Sequence, residues 1–297
     1  MTQPEIETPL VKTRLMHGLP FADYLDLPHW SQSSLKAGRK SMKHAKSAFD
    51  GYTGRVPTDP MVLGSALHVA FLEPERMPER VICWQGKARR GKEWDEFKEA
   101  HASQAILTPG FYANLIGMVQ ALRQHPYTRR WLSKIEDVEV SAVGDVNGLT
   151  MKGRTDALTP EPLIDLKSCS DVSERAMQRQ VWAMGYHIQA WVYCELFQRD
   201  RFVLLCVENT YPHDVVPWEF TREFIDLGGE KALELIDRVL ECQESGVWPG
   251  VSETEQFLQP PEWAAPKSKL TIGGEDSLGE LVEPDPLGVG EERWNDA

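Results

Sequence analysis

The sequence predicts an α/β fold in which a central mixed β-sheet is flanked by helices and preceded by an N-terminal helical part. Three observations carry this expectation. Helical segments come first, then a meander of short strands, then helix, strand, strand and helix, an order that suits one mixed sheet better than a doubly wound one. Between residues 138 and 168 apolar and polar residues alternate, with turn breaks at Asp145-Val146-Asn147-Gly148 and Pro160-Glu161-Pro162. Of the 297 residues 41% are hydrophobic and 26% charged, an ordinary globular composition that excludes wholesale disorder, a collagen-like fibre and a coiled coil.

In chain order, residues 1–29 read as a leader with a turn at His17-Gly18-Leu19-Pro20. Residues 31–50 read as one helix opened by a serine cap, with Lys36, Arg39, Lys40, Lys43 and Lys46 crowded along it. Residues 60–73 form a strongly apolar helix, and 86–92 a basic, glycine-bounded loop carrying Arg89, Arg90 and Lys92. Helices follow at 92–103 and 109–125. Strands then occupy VEVSAVG, LTMKGRTDAL and PLIDLKS. A single long helix is expected over 173–197, with Asp171 and Glu174 as a capping-box-like start. Strands at 201–209 and 215–220 and an amphipathic helix at 223–245 complete the pattern. From residue 250 onward Pro, Gly and acids dominate, so 250–297 is expected to be a mostly disordered or partner-binding tail.

The net charge is −13, which alone disfavours nucleic-acid binding. The acids are uneven, however. From Pro249 to Ala297 there are 11 acids and 3 bases, leaving only −5 on the rest of the chain. Acids that bind metal also drop out of the account. Five scattered cysteines (Cys83, Cys169, Cys194, Cys206 and Cys242) with no CxxC pair point to reduced thiols and exclude a zinc ribbon. No apolar run approaches the roughly 18 residues of a membrane span, and the N-terminal segment lacks the apolar core of a secretory signal. The expected location is cytoplasmic, with no membrane partner.

The chemistry concentrates at Gly153-Arg154-Thr155-Asp156 and Asp165-Leu166-Lys167. Side chains alternate faces on a strand. Asp165 and Lys167 therefore share a face, Ile164 and Leu166 turn to the core, and Lys152, Arg154 and Asp156 share a face on the preceding strand. Pairing through the Pro160 turn brings Asp156 near Asp165. Two carboxylates supply anionic oxygens for a hard divalent ion, and the Lys167 amine orients or deprotonates water or neutralises a phosphate. An acid-x-Lys triplet also occurs at Glu96-Phe97-Lys98, in a helical context where the geometry is wrong, so the triplet alone reads first as an ordinary salt-bridged strand pair. Glu139 reads chiefly as an exposed strand acid, with a ligand role as the alternative. Trp182 and Trp191 read as core residues.

Gly64-x-x-x-His68, Gly-Arg-Thr-Asp156, Ile-Asp165-Leu-Lys167 and Gln189-x-x-x-Tyr193 occur in that order. The set resembles the PD-(D/E)XK nuclease superfamily and its RecB-like branch. With SQSSLKAG, GSALHVAFLEPE, GKARRGKEW, KGRTDALT, IDLKSCSD and YHIQAWVY, it is similar to the exonuclease VIII (RecE-type) nuclease domain of phages and prophages over roughly residues 25–250. One departure is that Asp156 follows Thr155, not a proline. The resemblance implies a restriction-endonuclease-like core over residues 30–249. It makes His68, Asp156, Asp165 and the Leu166 carbonyl metal ligands for Mg2+, with Mn2+ as an alternative. Lys167 becomes the catalytic lysine, and Gln189 and Tyr193 become residues that shape the active site or meet the DNA end. Lys36, Arg39, Lys40, Lys43, Arg89, Arg90, Lys92, Lys152 and Arg154 are the expected phosphate track. The implied activity is degradation of one strand of linear double-stranded DNA from a 5′ end, by a ring-shaped trimer or tetramer, leaving a 3′ strand for a single-strand annealing protein. Two alternatives stay open: a RecB-like nuclease acting on single strands or internally, and a catalytically silent DNA-binding protein of the same fold.

Overall fold

The computed structural model describes residues 13–52 and 57–261. In chain order the elements are β1 (Arg14–Met16), α1 (Phe21–Asp26), β2 (Trp30–Ser31), α2 (Gln32–Ala37), α3 (Met42–Phe49), α4 (Asp59–Leu72) and α5 (Met77–Arg80). Then come β3 (Val81–Cys83), α6 (Lys92–Ala100), β4 (Ala105–Leu107), α7 (Pro109–Gln124) and α8 (Pro126–Leu132). The remainder is β5 (Asp137–Val146), β6 (Leu149–Leu158), β7 (Pro162–Cys169), α9 (Glu174–Met184), α10 (Tyr186–Phe197), β8 (Arg201–Glu208), β9 (Val215–Glu219) and α11 (Arg222–Ser245).

One mixed sheet runs β1-β5-β6-β7-β8-β9, with β2 added in parallel to β6. The β5–β6–β7 meander is antiparallel, β7 and β8 are parallel, and β9 returns antiparallel. A separate two-stranded sheet pairs β3 with β4. The expected mixed sheet flanked by helices is therefore present. The part of the leader that is described supplies β1 and α1, so it belongs to the sheet layer. Each face of the sheet carries its own core. Ile164, Leu166, Val203 and Leu205 pack with Leu63, Leu67, Leu115 and Met118 of α4 and α7. Met151, Leu163, Phe202 and Leu204 pack with Ile188, Val192 and Leu196 of α10 and with Ile236 and Val239 of α11.

Two expected long helices are broken, each by a local signal. Residues 31–50 split into α2 and α3 because Ser41 caps a new helix, accepting from His44 N–H. Ser31 caps α2 in a reciprocal box with Ser34. Residues 173–197 split at Gly185, whose φ of +65° ends α9 in the left-handed region. The kink lets α10 bury Gln189 and Tyr193 against the sheet. The expected Asp171/Glu174 box is absent: Ser173 is the cap residue, and Asp171 accepts from Ser173 N–H instead. Trp182, expected in the core, is 48% exposed and stacked on His187.

Residues 252–261 form no helix or strand. The rest of the expected tail, 262–297, lies outside the described residues. Among the described residues no helix is long and apolar enough to cross a membrane. All five cysteines are free thiols.

Two glycines in helices separate cleanly by their surroundings. A Cβ on Gly228 of α11 would lie 2.1 Å from the His187 carbonyl oxygen, whereas one on Gly64 of α4 meets Ser168 at an ordinary 3.5 Å. Gly228→Ala is expected to destabilise the fold by about 1–3 kcal/mol through backbone displacement. Gly64→Ala is expected to be neutral or stabilising by up to about 1 kcal/mol. Urea melts of the two variants check both signs.

Candidate active site

The site forms where β5, β6 and β7 meet α4. A two-residue Asn147-Gly148 turn, with φ of +51° and +83°, joins β5 to β6 and fixes their register. Val138 pairs with Ala157 and Val140 with Thr155, so Glu139 and Asp156 stand opposite one another. Glu139 has a φ of +55°, a left-handed backbone that a non-glycine residue adopts only under constraint. The pleat breaks beside it. Met151 faces the α10 layer, yet Ala157, an even number of residues further along, faces α4 and α7. Lys152 therefore parts from Asp156, contrary to the expectation from simple alternation, whereas Arg154 reaches Glu139 beside it.

Asp156 is buried, and its Oδ2 accepts from Leu166 N–H at 2.6 Å. That bond ties the tip of β6 to the centre of the Asp165-Leu166-Lys167 triplet. His68, on α4, contacts the Leu166 carbonyl through Nε2 at 2.9 Å, and its Nδ1 lies 3.4 Å from Asp156 and 3.9 Å from Glu139. Arg154 Nε donates to Glu139 at 2.6 Å and Nη1 donates to Ser141 and to the Leu19 carbonyl. Asp165 and Lys167 share a face as expected: Lys167 Nζ is 2.6 Å from Asp165 Oδ2, and Gln189 Nε2 donates to Oδ1 at 2.6 Å. Tyr193 packs beneath β6, where a Cβ on Gly153 would come within 3.2 Å of its ring.

These placements add an acid to the surroundings of the expected ligand set. Among the described residues, the side chains whose donor atoms gather within 4.8 Å of one another are His68, Glu139 and Asp156. Asp165 stands beside them: Gln189 donates to its Oδ1, while its buried Oδ2 faces the Lys167 ammonium and makes no hydrogen bond among the described residues. Glu139, expected chiefly as an exposed strand acid, is half-buried and joins His68 and Asp156 there. The signal for it was in the sequence, since counting back across the Asn147-Gly148 turn sets residue 139 opposite residue 156. Two carboxylates and an imidazole beside a backbone carbonyl form a donor set for a hard divalent ion. Directly opposed like charges are otherwise destabilising, and here a cation would offset them.

The expected phosphate track is divided. Lys152 is buried, and its ammonium donates to the carbonyls of Tyr24, Leu25 and Leu27 at the end of α1. Its three donors are spent there, so it is not available to a phosphate. Arg154 serves Glu139. Arg39 caps α9 by donating to the Trp182 and Ala183 carbonyls, both at 3.0 Å. Arg89 pairs with Asp59 at 2.5 Å. Lys40, Lys43, Arg90 and Lys92 are exposed, and Lys36 turns inward to the Tyr186 ring.

Charge coupling sets the protonation states. Burial opposes a charged His68, but Asp156 and then Glu139 outweigh it and lift the imidazole to about 10. Burial opposes the Asp156 carboxylate, yet His68, Lys167 and the Leu166 N–H hold it below its ordinary range. Asp165 moves up, through burial and then the nearby Asp156 charge, with Lys167 opposing. Burial disfavours the Lys167 ammonium, but Asp165 and Asp156 overcome that and keep it protonated well beyond neutrality. A ligating imidazole must be neutral. Uptake of Mn2+ near pH 7.5 is therefore expected to release about one proton, drawn from His68, with affinity rising as pH climbs toward 10. Titration calorimetry in two buffers of different ionisation enthalpy measures the release, and His68→Asn is expected to abolish it.

The fold has a counterpart among solved structures. The "Putative exonuclease" of Eubacterium rectale is 16% identical, with a TM-score of 0.60 over 83% of this chain and 96% of its own. A phage related exonuclease from Haemophilus somnus 129PT is also 16% identical over 75% of this chain and 99% of its own, at a TM-score of 0.31. No curated protein matches the sequence. Residues 31–260 match the family model described as a PDDEXK-like domain of unknown function (DUF3799), and with three-quarters of its length inside that match the chain belongs to this family.

Proposed function

We propose that the protein is a metal-dependent DNA exonuclease of the exonuclease VIII type. The observation that carries the reading is the junction at Leu166. Its N–H is held by Asp156, its carbonyl touches His68, and the flanking Asp165 and Lys167 form an ion pair. Unaided phosphodiester hydrolysis is among the slowest of biological reactions. A divalent ion, Mg2+ or Mn2+, supplies activation of the attacking water and neutralisation of phosphate charge. His68, Glu139, Asp156 and the Leu166 carbonyl hold it. Arg154 positions Glu139. Lys167, kept as an ammonium by its acidic neighbours, donates to a phosphate oxygen or to the attacking water and stabilises developing negative charge. Gln189 keeps Asp165 turned toward Lys167. Exposed Lys40, Lys43, Arg90 and Lys92 provide the outer phosphate contacts.

Within this reading the substrate is the end of linear double-stranded DNA, degraded 5′ to 3′ so that the remaining 3′ strand passes to a single-strand annealing protein in the cytoplasm during recombination. The assembly is a ring-shaped trimer or tetramer around the duplex. Digestion of end-labelled linear duplex and closed-circular duplex with Mg2+, with and without chelator, tests the activity. The expected result is loss of 5′ label from the linear form only, abolished by chelator. Cutting of the circle would instead make the protein an endonuclease, and an inert protein on both substrates would overturn the reading.

A further inference from the structure

Of the bases on the N-terminal helices, Lys36 alone is turned into the site. Its ammonium lies 5.5 Å from the centroid of the Tyr186 ring, and the Lys167 ammonium lies 5.7 Å from the centroid of the same ring. Lys36 is held there by packing. Its neighbour Leu35 is fully buried, the Ser31–Ser34 capping box fixes α2, and its stem lies so close to the α9–α10 junction that a Cβ on Gly185 would be 2.8 Å from Lys36 Cδ. The acid that acts on it, Asp165, is already paired with Lys167 at 2.6 Å. The other charges that act on it are those of Lys167 and Arg39. Burial and then the Lys167 charge pull Lys36 down to about 7.

An ammonium partly withdrawn from water within the field of a second ammonium is costly unless an anion completes the site. We propose that Lys36 is a second substrate-touching cation, which with Lys167 grips the oxygens of one phosphate group of the DNA strand. This rests on the nuclease reading, which leaves Lys36 without an assigned partner. The phosphate is either a backbone diester or a terminal monoester; both present the same anionic oxygens.

Binding of fluorescent duplexes to the full chain, measured by anisotropy without divalent ion across a salt series, tests the proposal. Lys36→Met is expected to weaken binding about tenfold and to reduce the slope of log affinity against log salt by about 1, while Lys36→Arg restores the slope. Without DNA, Lys36→Met is expected to melt higher than the wild type below pH 7, because it removes the buried charge. That gain should shrink toward pH 10, as the unfolded lysine also loses its proton. A loss confined to 5′-phosphorylated duplex identifies a terminal phosphate, and an equal loss on 5′-hydroxyl duplex identifies an internal one. Wild-type affinity and salt slope in Lys36→Met would overturn the proposal while leaving the nuclease reading intact. A wild-type protein that neither binds nor cuts DNA would overturn both.

Discussion

Glu139→Gln is expected to fold normally and to lose divalent-ion-dependent cleavage by roughly a thousandfold or more, as is Asp156→Asn, since each removes an anionic ligand that supplies several kcal/mol of charge stabilisation at the phosphate. The Glu139 result is the sharper of the two. Its carboxylate stands opposite Asp156 across the β5–β6 ladder and is oriented by Arg154, and its backbone is held left-handed at φ +55°. Arg154 and the protonated His68 imidazole already offset part of the charge on the two acids, and a divalent ion would take over the imidazole's share. Calorimetry with Mn2+ should show binding lost in Glu139→Gln and Asp156→Asn but retained in Asp165→Asn, whose wild-type carboxylate is held by Gln189 and Lys167. Loss of Mn2+ binding in Asp165→Asn together with its retention in Glu139→Gln would return Asp165 to the ligand set in place of Glu139.

Lys167→Met is expected to lower turnover by about 10²- to 10³-fold while Mn2+ affinity changes little. The reason is electrostatic. Asp165 and Asp156 hold Lys167 protonated well beyond neutrality, so its contribution is a fixed positive charge and a donor, not a proton-accepting amine. Lys167→Arg should therefore recover a measurable part of the rate, limited by the different shape of the guanidinium. A rate that stayed at the Lys167→Met level in Lys167→Arg would assign Lys167 the role of general base instead.

The pattern of residues by itself determined the mixed sheet, the pairing of Asp165 with Lys167 and the burial of Ile164 and Leu166, because side-chain alternation on a strand is a local property. It also marked His68, Asp156 and Gln189, which the fold brings to one junction. Helix ends were less legible. Continuous helical periodicity over 31–50 and 173–197 hid the breaks at Ser41 and Gly185, where a cap and a left-handed residue outweigh propensity. Glu139 was legible only through the register of the Asn147-Gly148 hairpin, and the break in alternation beside it, which separates Lys152 from Asp156, was not legible at all. Above all, the fates of the bases were decided by tertiary structure. Lys152 ends α1, Arg39 ends α9, Arg154 fixes Glu139 and Lys36 enters the site. A cluster of like charges in a sequence reports only that cations are near one another along the chain. Which carbonyl, carboxylate or phosphate each one meets depends on where distant elements end, and only packing settles that.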